Sequence, residues 1–287
     1  MWKKSTAILA MAALALTVAF PSIRASANGG PVEGPRGNEV TVKVMSYNIH
    51  HGEGTDKVLD LERIAGVIKE AGADIVGLQE VDNHYSSRSG LEDQAARLSE
   101  LTGMRYVYAA NLDLDPPEPG KPRRQYGTAV LSKYPILASE NHLLSSFGQE
   151  QRGLLETVIN VKGNQIRFYN THLGLTVQQR LAQIEEIKAI ASQHGGTKIL
   201  TGDLNAKPDS AELASLQEDF HDTYADRNED YTFPSTGPTS RIDYILTSAD
   251  TGIGERQVLQ TPASDHLPIT TELILKRTAP FENGAGK

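Results

Sequence analysis

The chain has 287 residues, enough for one large α/β domain or two small ones. Its composition, with 39% hydrophobic and 22% charged residues, excludes a disordered protein. A formal net charge of −8 excludes binding of a polyanion by bulk attraction, so a phosphate-bearing substrate needs a local basic patch or a bound cation. The absence of cysteine excludes disulfides and lipid attachment through a thiol, so the hydrophobic core alone must hold the fold.

Residues 1–27 are predicted to be a signal peptide that directs the protein out of the cytoplasm. Lys3 and Lys4 precede an apolar run over about 7–20, and the small residues 25–27 resemble a cleavage site. A membrane anchor is the alternative, but the run is short for a bilayer span and no second run follows. Cleavage would take the formal net charge from −8 to −11, because three basic residues and no acidic residue are lost.

The remaining chain is predicted to be one domain over residues 39–276, between a Gly- and Pro-rich lead-in (28–38) and a flexible tail (277–287). Apolar periodicity predicts helices over about Leu61–Ala71, capped by Asp60 and ended by Gly72, and over Leu91–Thr102 and Val177–Gln193. It predicts strands over Val40–Tyr47, Asp74–Gln79, Tyr126–Ser132, Leu155–Val161, Gln165–Asn170, Lys198–Thr201, Arg241–Thr247 and Pro268–Leu275. Strand pairs with interspersed helices indicate two sheets packed face to face with helices outside.

Polar residues collect where these strands begin or end. Six segments do so in order along the chain: Tyr47-Asn48-Ile49-His50-His51, Gln79-Glu80-Val81-Asp82, Asn170-Thr171-His172, Gly202-Asp203-Leu204-Asn205, Arg241-Ile242-Asp243-Tyr244 and Ser264-Asp265-His266. A lone Asn or Asp after a strand is usually a turn residue, but six such segments are hard to explain that way. Because packed sheets bring strand ends to one rim, we expect these side chains to form an active site.

This ordered set resembles the endonuclease/exonuclease/phosphatase superfamily, which includes pancreatic-type deoxyribonucleases, apurinic endonucleases, bacterial sphingomyelinases and inositol polyphosphate 5-phosphatases. The resemblance extends from about Val42 to Ile274, and each motif of the pattern is present. It implies a four-layered α/β sandwich, in which two packed, mainly antiparallel sheets are flanked by helices. It also implies a metal-dependent phosphodiesterase.

The metal site is expected around Glu80. A phosphodiester is anionic and repels hydroxide, so attack needs a cation on the phosphoryl oxygens and an oriented water. Glu80 is a hard oxygen ligand suited to Mg²⁺, with Mn²⁺ or Ca²⁺ as alternatives. The resemblance implies that Glu80 binds the metal, that Asn48 supports the site and that Asp265 reaches a metal directly or through water. One ion or two are both compatible with the sequence.

The resemblance also implies catalytic roles for five residues. Asp203 orients or deprotonates the attacking water, and Asn205 donates to a phosphate oxygen. His266 contacts the phosphate or helps to move the proton, while Asp243 accepts a hydrogen bond from His266 and holds its ring. His172 contacts the phosphate or protonates the leaving oxygen. Apurinic endonucleases have no histidine at that position, so His172 points away from that branch.

Several other polar residues have two possible interpretations, a role at the site or an ordinary structural role. Arg152 resembles a phosphate-contacting Arg of the deoxyribonuclease branch, since Arg is the planar partner for phosphate, but it also fits a surface position. His50 and His51 either line the pocket or are ordinary loop residues. Arg88, in the loop after Glu80, either reaches the substrate or is a solvated surface residue, and the second is expected. Asn111–Gln125, rich in Pro and charge, is expected to be a surface loop rather than a substrate-selecting one.

The substrate class stays open between a nucleic acid, a phospholipid head group and a small phosphate ester. A broad phosphodiesterase is the first choice, with a nuclease as its commonest form, and a nuclease needs a groove of cationic and polar side chains. A phospholipid phosphodiesterase, the second, needs apolar residues at a membrane surface, and the sequence shows no exposed aromatic hairpin tip. A catalytically inactive binding module ranks below both, because no residue of the motifs is missing. A secreted monomer is expected.

Overall fold

The computed structural model describes residues 38–248 and 251–277 of the chain. The predicted signal peptide therefore lies outside the described residues, as do the lead-in and the tail apart from Asn38 and Arg277. Among the described residues, no helix has the length and apolar character needed to cross a membrane. The elements of this part are, in order, β1(Glu39–Asn48), α1(Leu61–Ala71), β2(Ile75–Asn83), α2(Gln94–Thr102), β3(Arg105–Leu114), β4(Arg124–Ser132), β5(Ile136–Leu144), β6(Arg152–Val161), β7(Asn164–His172), α3(Val177–Ser192), β8(Lys198–Asp203), α4(Ala211–Leu216), β9(His221–Asp222), β10(Asp243–Thr247), β11(Gly252–Val258) and β12(Ile269–Lys276).

The ends of α1 follow from local chemistry that the sequence already shows. The Asp60 carboxylate accepts a hydrogen bond from the amide of Arg63, which satisfies one of the unpaired donors of the first turn. Gly72 ends the helix with φ 69°, a left-handed conformation that costs glycine little. The prediction for this helix is confirmed at both ends.

The predicted start of α2 is wrong by three residues. The helix begins at Gln94 rather than Leu91, because Asp93 caps it by accepting from the amide of Ala96. Leu91 itself has φ 57° and cannot belong to a right-handed helix. The predicted end at Gly103 is confirmed.

The strands form two mixed sheets of six strands each. One has the order β11-β12-β1-β2-β4-β3 and the other β5-β6-β7-β8-β10-β9. Within each sheet one central pair is parallel, β1 with β2 and β7 with β8, and the remaining pairs are antiparallel. Each parallel pair is joined by a crossover that contains a helix, as parallel strands require.

Three groups of buried apolar side chains define four layers. One group draws on strands of both sheets and fills the space between them, with Val44, Ile75, Val130, Phe168 and Ile245 among its members. A second joins α1 and α2 to the outer face of the first sheet, and a third joins α3 and α4 to the outer face of the second. The predicted four-layered α/β sandwich is confirmed.

The ends of the segment Asn111–Gln125 belong to strands, whereas its middle is the surface loop that was expected. β3 continues to Leu114 and β4 begins at Arg124, so a connection of nine residues, 115–123, separates them. The Arg123 guanidinium binds the carboxylates of Asp113 and Asp115, at 2.6 and 3.0 Å. The change of charge sign along this segment thus reflects ion pairs within a hairpin.

Candidate active site

The six polar segments meet at one rim of the sandwich because of the sheet topology. The parallel strands β1 and β2 run toward this rim in one sheet, and β7 and β8 run toward it in the other. β10 begins there, since it is antiparallel to β8, and β12 does so beside β1. The register pairs Asp203 with His172 on one side and with Asp243 on the other.

Asn48 connects the two halves of the site. Its buried side-chain amide donates to Glu80 Oε1 and to Asp203 Oδ2, at 3.1 Å in each case. Glu80 belongs to the first sheet and Asp203 to the second, so one amide holds two carboxylates that the topology brings together. The Asn48 side-chain oxygen accepts from the amide of His50, which orients the amide group.

Glu80 faces the site because β2 is irregular there. The register between β2 and β4 shifts between Leu78 and Val81, and Glu80 adopts φ 56°. A bulge of this kind re-aims a side chain at the end of a strand. Asn205 is also left-handed, with φ 49°, and its side chain donates to the carbonyl of Leu173.

Asp203 lies at the centre of the polar cluster. Its Oδ2 is 3.5 Å from Nε2 of His172 and 3.6 Å from Nε2 of His266, and its Oδ1 accepts from the amide of Asn205 at 2.9 Å. Burial raises the pKa of Asp203 to about 7; the charge of Asp243 adds to this effect and that of His266 opposes it. A carboxylate that titrates near neutral pH is suited to accept a proton from water.

His266 is bound to a second carboxylate. Its Nδ1 lies 3.0 Å from Oδ2 of the buried Asp243, and the ring of Phe233 packs against it with centroids 4.7 Å apart. Burial lowers the pKa of His266. The charge and hydrogen bond of Asp243, together with the charges of Asp203 and Asp265, have the larger effect and raise this pKa to about 10. His266 is therefore an imidazolium at neutral pH and can bind an anion.

His172 has the opposite protonation state. Burial, and then the positive charges of Arg152 and His266, hold the pKa of His172 well below its usual value. The imidazole is therefore neutral and presents one donor and one acceptor nitrogen. Two histidines on either side of Asp203 thus differ in charge because only His266 is bound to a second carboxylate.

Arg152 lies at the rim of the site, where its positive charge acts against protonation of His172. Its side chain is buried, its Nη2 is 3.1 Å from Glu150 Oε1, and its Nε has no hydrogen-bond partner. Together with Glu150 and Leu175 it lines a cavity of about 120 Å³. A buried guanidinium with an unpaired donor is a chemically suitable phosphate contact.

Asp265 and the two loop histidines lie on the Glu80 side of the site. Asp265 Oδ1 is 3.9 Å from Nδ1 of His50. His50, His51 and Glu80 can each offer one ligand atom so that the three atoms lie within 4.8 Å of one another. Asp203, Asp243 and His266 form a second such group in the described part of the chain.

Arg88 is an exposed residue, as expected, but its guanidinium is held by neighbouring side chains. Its guanidinium donates twice to the buried Asp82 carboxylate, at 2.9 and 2.7 Å, and lies over the rings of Tyr85 and Tyr126. These contacts indicate a structural role in the loop that follows Glu80.

Two residues support the site although no role was predicted for either of them from the sequence. The Ser264 hydroxyl donates to the backbone carbonyl of Asn48 and accepts from the amide of His266, so it ties β1 to the last motif. Its position in Ser264-Asp265-His266 was a usable clue. Phe233, which packs on His266, lies in a loop without any pattern that marks it.

Comparison with known proteins finds similarity over most of the chain. A model of the endonuclease/exonuclease/phosphatase family matches residues 45–266. The uncharacterised protein YbhP of Escherichia coli is 29% identical over 256 residues, which cover 83% of this chain and 98% of YbhP.

Solved structures of related proteins share the fold. An endonuclease/exonuclease/phosphatase from Beutenbergia cavernae has a TM-score of 0.67 and 25% identity, over 82% of this chain and 72% of its own. A mannosyl-6-phosphatase of Bacteroides thetaiotaomicron has a TM-score of 0.65 and 22% identity, over 81% of this chain and 99% of its own. The similarity thus extends through both sheets.

Proposed function

This chain belongs to the endonuclease/exonuclease/phosphatase family of phosphoester hydrolases, and we propose that it is a metal-dependent phosphodiesterase that acts by in-line attack of an activated water. One observation carries the proposal. Asn48 holds the Glu80 and Asp203 carboxylates 3.1 Å from its amide nitrogen, while two imidazoles lie 3.5 and 3.6 Å from Asp203. Glu80 is thus available to a cation while Asp203 is available to a water.

The side chains of the site have different roles in the reaction. Asp203, with its pKa raised to about 7, takes a proton from the attacking water, and hydrogen bonds from the Asn48 side chain and the Asn205 backbone amide hold its carboxylate in place. The His266 imidazolium, held by Asp243, donates to a phosphoryl oxygen and offsets the charge that builds up there. The neutral His172 donates a hydrogen bond to a phosphoryl or leaving oxygen.

A divalent cation fits the donor set at Glu80. Glu80 and Asp265 are carboxylates at the open rim, and Asn48 already orients the first of them. A bound cation would polarise the phosphoryl oxygens and stabilise the leaving oxygen. Carboxylate and amide oxygens are the ligands that hard divalent cations such as Mg²⁺ prefer in proteins.

Removal of the cation or of its ligand tests this function. We expect release of nitrophenol from bis-nitrophenyl phosphate to require a divalent cation, to stop in excess chelator, and to fall by roughly 100-fold or more in Glu80→Gln. Glu100→Gln, a change at an exposed surface carboxylate, is the matched control and should leave the rate unchanged. Full activity in chelator, or faster turnover of nitrophenyl phosphate than of the diester, would contradict the proposal.

The natural substrate is proposed to be a nucleic acid or a phospholipid, and one observation favours the lipid. Phe147, 54% exposed, lies at the tip of the hairpin that joins β5 and β6, which corrects the expectation that no aromatic hairpin tip is exposed. Leu175, 72% exposed, lies in the next loop, three residues after His172. Gln179 donates to the carbonyl of Ser146 and links the two loops.

Apolar side chains at the mouth of a phosphodiesterase suit a membrane surface better than a polynucleotide backbone. A parallel assay on plasmid DNA, RNA, sphingomyelin vesicles and phosphatidylinositol vesicles separates the two classes. The lipid candidate requires hydrolysis of a vesicle substrate. Cleavage of nucleic acid alone would favour the nuclease.

We further propose that the protein is exported and processed near Asn28. The proposal rests on the charged start, the apolar run and the small residues at 25–27.

A further inference from the structure

Two consecutive histidines lie beside Glu80, and the family function as described above does not use them. Ligand atoms of His50, His51 and Glu80 lie within 4.8 Å of one another. Bonds of about 2.1 Å to one ion place its ligand atoms up to about 4.2 Å apart, so this cluster is nearly the right size. The two imidazole rings meet edge to face, with centroids 4.5 Å apart.

The backbone of all three residues is held in a conformation that costs free energy. His50, His51 and Glu80 have φ of 45°, 43° and 56°, in the left-handed region that only a few per cent of residues other than Gly adopt, with Asn, Asp and His enriched among them. Each such residue costs on the order of 1 kcal/mol, and such residues cluster at functional and ligand-binding sites. Gln94 helps to hold the turn, because its side chain donates to the carbonyl of His51 at 2.6 Å.

The hydrogen bonds of the two rings leave nitrogen atoms free. His50 Nδ1 lies 3.2 Å from the carbonyl oxygen of Glu53, and a ligand imidazole usually donates its other ring N–H to such an oxygen. That bond leaves Nε2 of His50 with its lone pair. His51 is buried, and its Nδ1 has no hydrogen-bond partner, which is costly for a polar atom out of contact with water.

We infer that His50 and His51 are metal ligands that complete the Glu80 site and make it prefer a transition-metal ion, such as Mn²⁺ or Co²⁺, to Mg²⁺. Mg²⁺ prefers oxygen ligands and keeps several waters, whereas affinity for a site with nitrogen ligands rises along the transition-metal series from Mn²⁺ to Cu²⁺. The inference rests on the proposed function only in placing the catalytic cation at Glu80. It replaces Mg²⁺, the ion expected from the sequence, as the preferred cofactor.

Direct spectroscopy of the bound ion tests this assignment without any substrate. Mn²⁺ bound to the wild-type protein should show imidazole nitrogen couplings in pulsed electron paramagnetic resonance. Mn²⁺ that binds without nitrogen couplings would overturn the inference and leave the proposed phosphodiesterase intact. If the protein bound no divalent ion, both proposals would fail.

Variants locate the nitrogen atoms. His50→Asn and His51→Asn keep the left-handed backbone, which Asn tolerates, and remove the imidazole ligand. Each should weaken Mn²⁺ and Co²⁺ binding by roughly 10-fold to 100-fold in a calorimetric titration and change Mg²⁺ binding much less. The nitrogen couplings should also decrease in each variant.

His84→Asn is the matched control, because His84 is also left-handed, with φ 51°, and its ring is bonded to the carbonyl of Leu91 outside the site. It should bind all three ions as the wild type does. Equal Mn²⁺ and Mg²⁺ affinities in the wild type, or unchanged Mn²⁺ binding in the two test variants, would overturn the assignment. Glu80→Gln should weaken the binding of all three ions. This result distinguishes loss of the cation site from loss of its selectivity.

Discussion

At the level of single residues, the site depends on how neighbours set the charge of two similar imidazoles. His172 and His266 are both buried, and each lies within 3.6 Å of the same Asp203 oxygen. The Asp243 carboxylate is bonded to His266, whereas the nearby Arg152 charge acts against protonation of His172. One imidazole is therefore cationic and the other neutral at the same pH.

The pair of Asp243 and His266 is expected to act as a unit in catalysis. His266→Ala should lower kcat by several orders of magnitude with the fold intact, because the cationic donor to the phosphate is lost. Asp243→Asn should lower it by less, since the imidazole stays in place with weaker support. The double variant should be far from additive in kinetics normalised to folded protein.

A purely structural role for Asp243 makes a different prediction for the same variants. Its substitution would then lower stability, spare turnover in the folded fraction and combine additively with His266→Ala. Additive losses in kcat would therefore count against the catalytic pair. Circular dichroism of each variant supplies the folded fraction.

The stability of the metal-free protein should depend on His266 above neutral pH. A pKa raised from 6.5 to about 10 in the folded state contributes stability that is fully present below pH 6.5 and is lost as the pH rises toward 10. Urea unfolding in chelator should show wild type more stable than His266→Gln by a few kcal/mol at pH 7, and the difference should shrink by pH 10.

The window from pH 7 to 10 avoids the main titration of Asp203. The raised pKa of Asp203 lowers the stability of the folded protein, because burial makes the ionised carboxylate unfavourable. That loss of stability accumulates as the pH rises from 3.8 to about 7. His84→Gln serves as the control and should differ from wild type by the same amount at both pH values. A constant difference for His266→Gln across the window would contradict the argument.

At the level of elements, strand position decides what sequence patterns reveal. The eight inner strands of the two sheets were all predicted, although several extend one to four residues beyond the predicted bounds. The strands that escaped prediction, β3, β5, β9 and β11, are the four sheet edges among the described residues. Edge strands expose more side chains to water, so polar residues interrupt the apolar alternation that marks a strand.

The hairpin between β5 and β6 gives an element-level prediction about substrate access. Phe147→Ser combined with Leu175→Ser should lower activity on lipid vesicles by roughly 10-fold or more, because burial of two large apolar side chains at the membrane surface is lost. The rate on soluble bis-nitrophenyl phosphate should stay the same. Vesicle co-sedimentation should fall in parallel with the vesicle activity.

Leu137→Ser is the matched control for this experiment. Leu137 is 50% exposed and lies at the other end of β5, away from the catalytic rim. It should leave both activities unchanged. If the double variant binds and cleaves vesicles like the wild type, the hairpin has no role in membrane contact.

At the level of the whole molecule, polar side chains join the two sheets beneath the site. Asn170 of β7 donates to the carbonyls of Leu78 and Ala129 in the opposite sheet and accepts from Gln79. Gly77 makes this approach possible, because a Cβ there would lie 2.1 Å from Thr201 Oγ1. The sheets are thereby held at a fixed spacing under Glu80 and Asp203.

Export is a prediction about the whole chain. Mass spectrometry of protein from the culture medium or cell surface should find a mature N-terminus near Asn28. A variant with Lys3 and Lys4 changed to Glu should be retained and unprocessed, because the charged start of the signal is lost. Intact Met1 in a soluble cytoplasmic pool of the wild type would contradict the prediction.

The sequence by itself determined the family, and it predicted the main residues of the candidate site. Order and spacing of the motifs around Asn48, Glu80, Asp203 and His266 are visible in a linear chain, and inner strands show their apolar pattern directly. Predicting that these motifs share one rim needed only the rule that packed sheets align their strand ends. The catalytic roles of these residues stay predictions until kinetics test them.

Only the tertiary structure decided properties that depend on distance and burial. The different charge states of His172 and His266, the bulge that aims Glu80, and the approach of His50 and His51 to Glu80 arise from contacts between residues far apart in sequence. Phe147 could be recognised as a rim residue only once β5 and β6 were paired. Local patterns report which face of an element is apolar, whereas solvation and electrostatics depend on what the rest of the chain places beside it.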